Sequence, residues 1–329
     1  MVQRVRLKWI DALRGVLILL VVLGHCIQVA LGRGCEDSPL YRIIYSFHMP
    51  AFFAVSGYLS YHHHHRDRWY VFHRRFFQLM VPFFIWSLIA IVVFWSNFRS
   101  RLKDVFVHPD IGIWFLWALF WVQTVFLVAD WLSEKIRIKQ VVGECLMAFV
   151  LIVVFVLTEF RILGYQFIAF YLLFFLVGYY YHKYRDSMPR NGWLLAFLTL
   201  VWGILAWFWH RHQLPSFLSW VPYPSIVLYA YRFLTAFLAC YVLLSIGPAC
   251  LNRSKKLAAF GKVSLGIYVI HVLFCARVVQ LLASSFGQDH YWLTVAISFI
   301  VVSGVSFGIS WLLSRNRYTA RFLLGKLDM

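Results

Sequence analysis

Arg14 and His25 lie eleven residues apart in one apolar stretch, which opens Asp11-Ala12-Leu13-Arg14-Gly15 and runs on to Leu23-Gly24-His25. Eleven residues is almost three helical turns. On a helix both side chains therefore leave the same face, ~16 Å apart along the axis. A guanidinium and an imidazole are costly inside a segment long enough to cross hydrocarbon, and such groups mark functional sites by default. The chemistry they suit is the anchoring of a charged donor by Arg14 and proton removal by His25 at the donor's reactive end. Asp11, three residues before Arg14, is placed to pair with it and orient it.

Three further ionisable residues fall inside apolar stretches: His48, Arg232 and His271. Counted from the ends of their segments, they share the central-to-outer depth band with His25, which sits ~9 Å below the outer surface. A lone histidine in a membrane span also suits a helix-to-helix hydrogen bond, and both readings stay open for His48 and His271. Arg232 needs an anion or a water-filled cavity. Pro50, two residues after His48, removes a backbone donor and predicts a kink that opens space beside the imidazole. Ser56 lacks the G-x-S-x-G surroundings of a nucleophile elbow. Arg74 and Arg75 follow His73 at the start of the third apolar segment; they suit either a solvated basic loop or a phosphate site.

The elements that must position these residues follow from composition. The chain has 329 residues, 62% of them hydrophobic and only 13% charged. Apolar stretches near span length recur from end to end, which predicts an all-α integral membrane protein. Ten spans are expected, at about 10–31, 41–61, 76–97, 113–132, 142–158, 165–182, 192–209, 223–246, 261–283 and 291–313. The chain reads as one transmembrane domain over 1–329, with no appended soluble domain and no cleavable leader. Basic residues crowd alternate loops, from Arg4, Arg6 and Lys8 through Lys135, Arg137 and Lys139 to Arg315, Arg317 and Arg321. The other loops hold Arg33, the trio Arg99, Arg101 and Lys103, then Arg161 and Arg211. The positive-inside rule places both termini in the cytoplasm, and the trio is the discordant loop.

Net charge of +18 would suggest nucleic acid in a soluble protein. Here the basic loops account for it, and no nucleic-acid partner is expected. The six cysteines form no CxxC motif or disulfide framework and read as packing residues. The run His62–His65 reads as a solvated turn beside Arg66, and no metal is expected.

In this order the motifs resemble the membrane-bound acyltransferase 3 family, whose members O-acylate carbohydrates. The Arg14 and His25 pair is similar to its hallmark. So are Phe47-His48-Met49-Pro50 through Ser56-Gly57-Tyr58-Leu59, Arg75 followed by Val81-Pro82-Phe83 and Trp86-Ser87, Trp114 through Leu119, and Gly261 through Ser264-Leu265-Gly266-Ile267-Tyr268-Val269-Ile270-His271. The Phe-His-Met-Pro form looks closest to the fucose 4-O-acetylase-like branch.

The resemblance implies transfer of an acyl group, commonly acetyl from acetyl-CoA, to a hydroxyl of a glycan or lipid-linked sugar. The implied setting is a multi-pass protein of the bacterial inner membrane. Arg14, Arg74 and Arg75 would then hold the CoA phosphates. His25, oriented with Arg14 and Asp11 and assisted by His48, would act as general base or as an acetyl relay. Arg232, His271, Tyr268 and Trp114 would meet the substrate or its oxyanion. Trp220 and Tyr223 suit either sugar stacking or the interfacial aromatic belt. The competing class is a transporter or flippase for a lipid-linked glycan or other anionic solute, which predicts internal repeats and paired broken helices.

Overall fold

The computed structural model describes residues 7–63, 67–93, 112–158, 162–218, 220–287 and 290–327. The chain is all-helical over these residues, with no strand among them. Helix α1 spans Lys8–Leu31 and α2 spans Pro39–Ser60. Next, α3 (Arg68–Arg75) runs through a π-helical turn, Phe76–Met80, into α4 (Val81–Val93). Then come α5 (Trp114–Lys135), α6 (Gln140–Thr158), α7 (Tyr165–Lys183) and α8 (Gly192–Trp207). After α9 (Pro224–Cys250), the short α10 (Lys255–Lys262) precedes α11 (Ser264–Phe286), α12 (Tyr291–Leu313) and α13 (Arg317–Leu324).

Among the described residues eight helices are long and apolar enough to cross a membrane. The other two expected spans fall on α2 and α8, and each has a physical reason for standing apart. Helix α2 is long enough, but Arg42, His48 and Pro50 dilute its apolar character. Helix α8 has sixteen residues, ~24 Å at helical rise, short of a ~30 Å hydrocarbon core. The third span begins earlier than expected, at Arg68, because the Asp67 side chain accepts from the Trp69 and Tyr70 amides and starts α3 there. Helix α2 continues through Pro50. Arg66, Arg99, Arg101, Lys103, Arg161 and part of the histidine run lie outside the described residues.

The chain divides into two compact units, Met1–Tyr58 with Val177–Ile309 and Leu59–Leu176 with Ser310–Met329. In the first, α1 packs along α10 and α11. The contact is close because glycines face backbone on both sides. A Cβ on Gly15 would strike the Leu257 carbonyl, and one on Gly261 would strike the Asp11 carbonyl. At the same end of α1, Trp9 meets Tyr58 edge-on at 5.3 Å and covers Gly247. Ser254 caps α10 by accepting from the Leu257 amide.

The second unit holds the α5–α6 hairpin and α3–α4. Arg68 binds Asp130 at 2.8 Å and also Glu134, both on α5. Trp86 donates to the Leu323 carbonyl at 2.8 Å, tying α4 to α13. Gly325, at φ +62°, ends α13 against the Gln78 backbone, where no larger residue fits.

Gly261→Leu is expected to lower stability by about 1–3 kcal/mol or more, because the seam has no room for a side chain. Gly203→Ala, in α8 with open space around its Cα, is expected to be neutral or slightly stabilising. Thermal unfolding of the detergent-purified variants reads the contrast.

Candidate active site

Helices α1, α2 and α11 each bring one histidine to the first unit. His25 and His271 meet at ring centroids 5.0 Å apart with planes at 64°. His271 is fully buried, His48 is 3% exposed and His25 is half-buried. One residue beyond His25, and one turn beyond His271, the Cys26 and Cys275 thiols approach to 3.8 Å. The α1–α11 seam thus fixes the histidine pair from the side.

Two of the imidazoles are anchored in the same way. His271 Nδ1 lies 3.0 Å from the Ile267 carbonyl, and His48 Nδ1 lies 2.7 Å from the Ile44 carbonyl. A carbonyl carries no proton, so Nδ1–H must donate, and a neutral ring then presents Nε2 as a lone-pair acceptor. His271 Nε2 is buried with no hydrogen-bond partner. Leaving such an atom unpaired costs about 1–3 kcal/mol, an expense that calls for a role.

The loops at the Gly32 end of α1 supply what sequence reading missed. Arg211, counted there only as a loop charge, donates from Nη2 to Tyr41 Oη at 3.0 Å. Its guanidinium covers the Tyr45 ring at 5.0 Å. Its backbone N–H donates to Glu36 Oε2 at 3.2 Å, joining the turn Gly32–Asp37 to the segment after α8. The Arg211 carbonyl in turn accepts from Arg232 Nη1 at 3.4 Å. Tyr41 and Tyr45 stack at 3.9 Å, Tyr45 donates to Gln28 on α1 at 2.8 Å, and the Tyr45 ring meets that of His48 at 4.8 Å. The Tyr45 ring thus touches both the Arg211 guanidinium and the His48 ring. Two signals pointed here: a cation among loops poor in basic residues, and Tyr41, Tyr45 and His48 at the spacing of one helical face.

The remaining expected site residues fall elsewhere. On α1, Asp11 is 6% exposed and Arg14 half-buried; neither is without a partner. Arg14 stands about three turns from His25 and Asp11 about four. Tyr268 is buried, its ring 6.0 Å from that of His271. Arg74, Arg75 and Trp114 belong to the second unit. There Arg74 reaches Tyr70 Oη at 3.2 Å, Arg75 reaches Gln78 Oε1 at 3.0 Å, and Trp114 stacks on Phe167 at 4.5 Å and Tyr171 at 5.4 Å. Among the described residues no group of three or more His, Cys, Asp or Glu side chains is placed to hold a metal ion.

The sequence profile described as "Acyltransferase domain" matches residues 7–315. Nodulation protein NolL of Sinorhizobium fredii (strain NBRC 101917 / NGR234) is 31% identical over 201 residues, 57% of this chain and 53% of that protein. Nodulation protein NolL of Mesorhizobium japonicum (strain LMG 29417 / CECT 9101 / MAFF 303099) is 35% identical over 120 residues, 33% of this chain and 32% of that protein. The matches thus span about half and about a third of the lengths of these relatives. No solved structure matches the chain.

Mild oxidation of the folded protein is expected to join Cys26 to Cys275, found by mass spectrometry as one linked peptide pair. Recovery of both thiols unlinked after full oxidation of exposed Cys145 and Cys250 would contradict the α1–α11 register.

Proposed function

Because the chain belongs to the acyltransferase 3 family, we propose that it is a membrane O-acetyltransferase moving acetyl from acetyl-CoA to a hydroxyl of a glycan or lipid-linked sugar. The observation that carries this reading is the half-buried His25 ring held 5.0 Å from that of His271 in the first unit. A sugar hydroxyl is too weak an acid to attack a thioester unaided. In this reading His25 removes its proton as the attack begins. Catalytic hydrogen bonds are often long in ligand-free proteins and tighten when substrate binds. A turn of the His25 ring would place its N–H on His271 Nε2, filling that empty acceptor and holding His25 in the tautomer a base needs. A neutral His271 anchored through Nδ1 has no proton to offer an oxyanion. That role therefore goes to a guanidinium, Arg232 or its neighbour Arg211. An acetyl-His25 relay uses the same geometry, with the imidazole attacking the thioester first.

The positive-inside reading sets the direction: both termini and the Arg14 end of α1 cytoplasmic, the His25 end outward, in a bacterial inner membrane. CoA then enters from the cytoplasm, and the forked guanidinium groups of Arg74 and Arg75 suit its phosphates. The mechanism needs no metal.

Isolated membranes given acetyl-labelled acetyl-CoA are expected to carry label on glycan or lipid-linked sugar; solute movement without labelled product would support a transporter instead. His271→Leu is expected to lower kcat by about 10²-fold, while His271→Gln, which restores an acceptor oxygen, recovers part of the loss. Equal activity of the two variants would remove His271 from the mechanism. Replacing Arg74 and Arg75 together by Gln is expected to raise KM for acetyl-CoA about tenfold with kcat little changed.

A further inference from the structure

The last helix of the second unit, α13, carries a surface that the proposed reaction does not use. The span α12 ends just before it. Trp311 is exposed at that end, and the Arg315 guanidinium lies over its ring at 3.9 Å. Exposed tryptophans at span ends mark the headgroup layer, and arginines there reach into it. Asn316 then starts α13 by accepting from the Tyr318 and Thr319 amides. A helix that begins so close to the end of a span stays at the bilayer surface.

The circumference of α13 divides into sectors at about 100° per residue. Ala320 and Leu324 are buried, where α13 packs on α4 and the π-helical turn. Tyr318 and Phe322, one turn apart, are exposed, Tyr318 at 73%. Arg317 and Arg321, also one turn apart and exposed, fall between the buried sector and the aromatic one. Arg315, Arg317 and Arg321 form no ion pair among the described residues. Arg321 touches only the Phe322 ring, at 5.9 Å, and a guanidinium on an aromatic face keeps its N–H edges for other acceptors. Water would hydrate these arginines but gives no reason to expose Tyr318 and Phe322 beside them. Aromatic and cationic ridges side by side are the form of a helix lying in a membrane interface.

We propose that Arg315, Arg317 and Arg321, with Tyr318 and Phe322, dock anionic phospholipid of the leaflet on which α13 lies. The phosphate of the headgroup meets the guanidinium forks, and the rings lie against the upper part of the acyl chains. Charge complementarity selects anionic over zwitterionic lipid. Lipid binding here does not depend on the reaction.

The test is native mass spectrometry of the detergent-purified full chain, titrated with phosphatidylglycerol or with phosphatidylcholine of the same acyl chains. The wild type is expected to prefer phosphatidylglycerol. Replacing Arg315, Arg317 and Arg321 together by Gln is expected to weaken phosphatidylglycerol binding by about tenfold or more and to leave phosphatidylcholine binding unchanged. The matching Lys variant, which keeps the charge, retains most of the preference and guards against a misfolded chain. Tyr318→Ser with Phe322→Ser is expected to weaken both lipids alike. Gln at Lys135, Arg137 and Lys139, the basic turn between α5 and α6, is expected to leave the preference intact. No preference in the wild type, or equal loss in the two Gln triple variants, overturns the proposal. Displacement of phosphatidylglycerol by glycerol phosphate assigns the arginines to a soluble phosphate and also overturns it. Wild-type dimers that Tyr318→Ser with Phe322→Ser abolishes, without a lipid preference, assign the face to a second copy of the chain and overturn it too.

Discussion

Everything proposed for the site depends on how closely α1 lies against α10 and α11. Two glycines, Gly15 and Gly261, let backbone meet backbone there. With no side chain between them, the helices bring Cys26 to Cys275 and His25 to His271 further along the same seam. In a membrane, small residues at an interface supply packing where hydrophobic driving force is weak. The Gly15 and Gly261 motifs thus have a mechanical meaning: they let the helices carrying the two imidazoles lie close together.

The histidines show how polar groups survive at such a seam. His271 and His48 each give Nδ1–H to a carbonyl of their own helix, one turn back. That bond anchors the ring and fixes which nitrogen is bare. The Nε2 of His271 remains without a partner, a cost that a purely structural histidine would not need to bear. Beyond the ends of α1 and α2, Arg211 binds Tyr41 and Glu36 and so joins two loops distant in sequence. The site is a seam closed at one end by loops, and its cations rest on aromatic faces.

Helices were the most legible feature, because apolar length alone marks a span. Over the described residues each expected segment falls largely on helix, though α2 and α8 lie off the pattern for reasons of polarity and length. The start at Arg68 was hidden because a cap residue, Asp67, decided it rather than hydropathy. His25, His48 and His271 were legible as ionisable residues in apolar runs, and the fold brings His25 and His271 into ring contact. Arg211 was not legible as a site residue. Its value comes from Tyr41 and Glu36, 170 and 175 residues away in sequence, and no local pattern reports that. Nor does spacing reveal the vacant nitrogen of His271, which depends on every neighbour at once.

The central claim is that the imidazole of His25 carries the transfer, and it is tested most directly by His25→Ala with labelled acetyl-CoA as donor and the glycan as acceptor. The account predicts a fall in kcat of at least about 10²-fold, with an unfolding temperature like that of the wild type. Full transfer by a folded His25→Ala protein would contradict it.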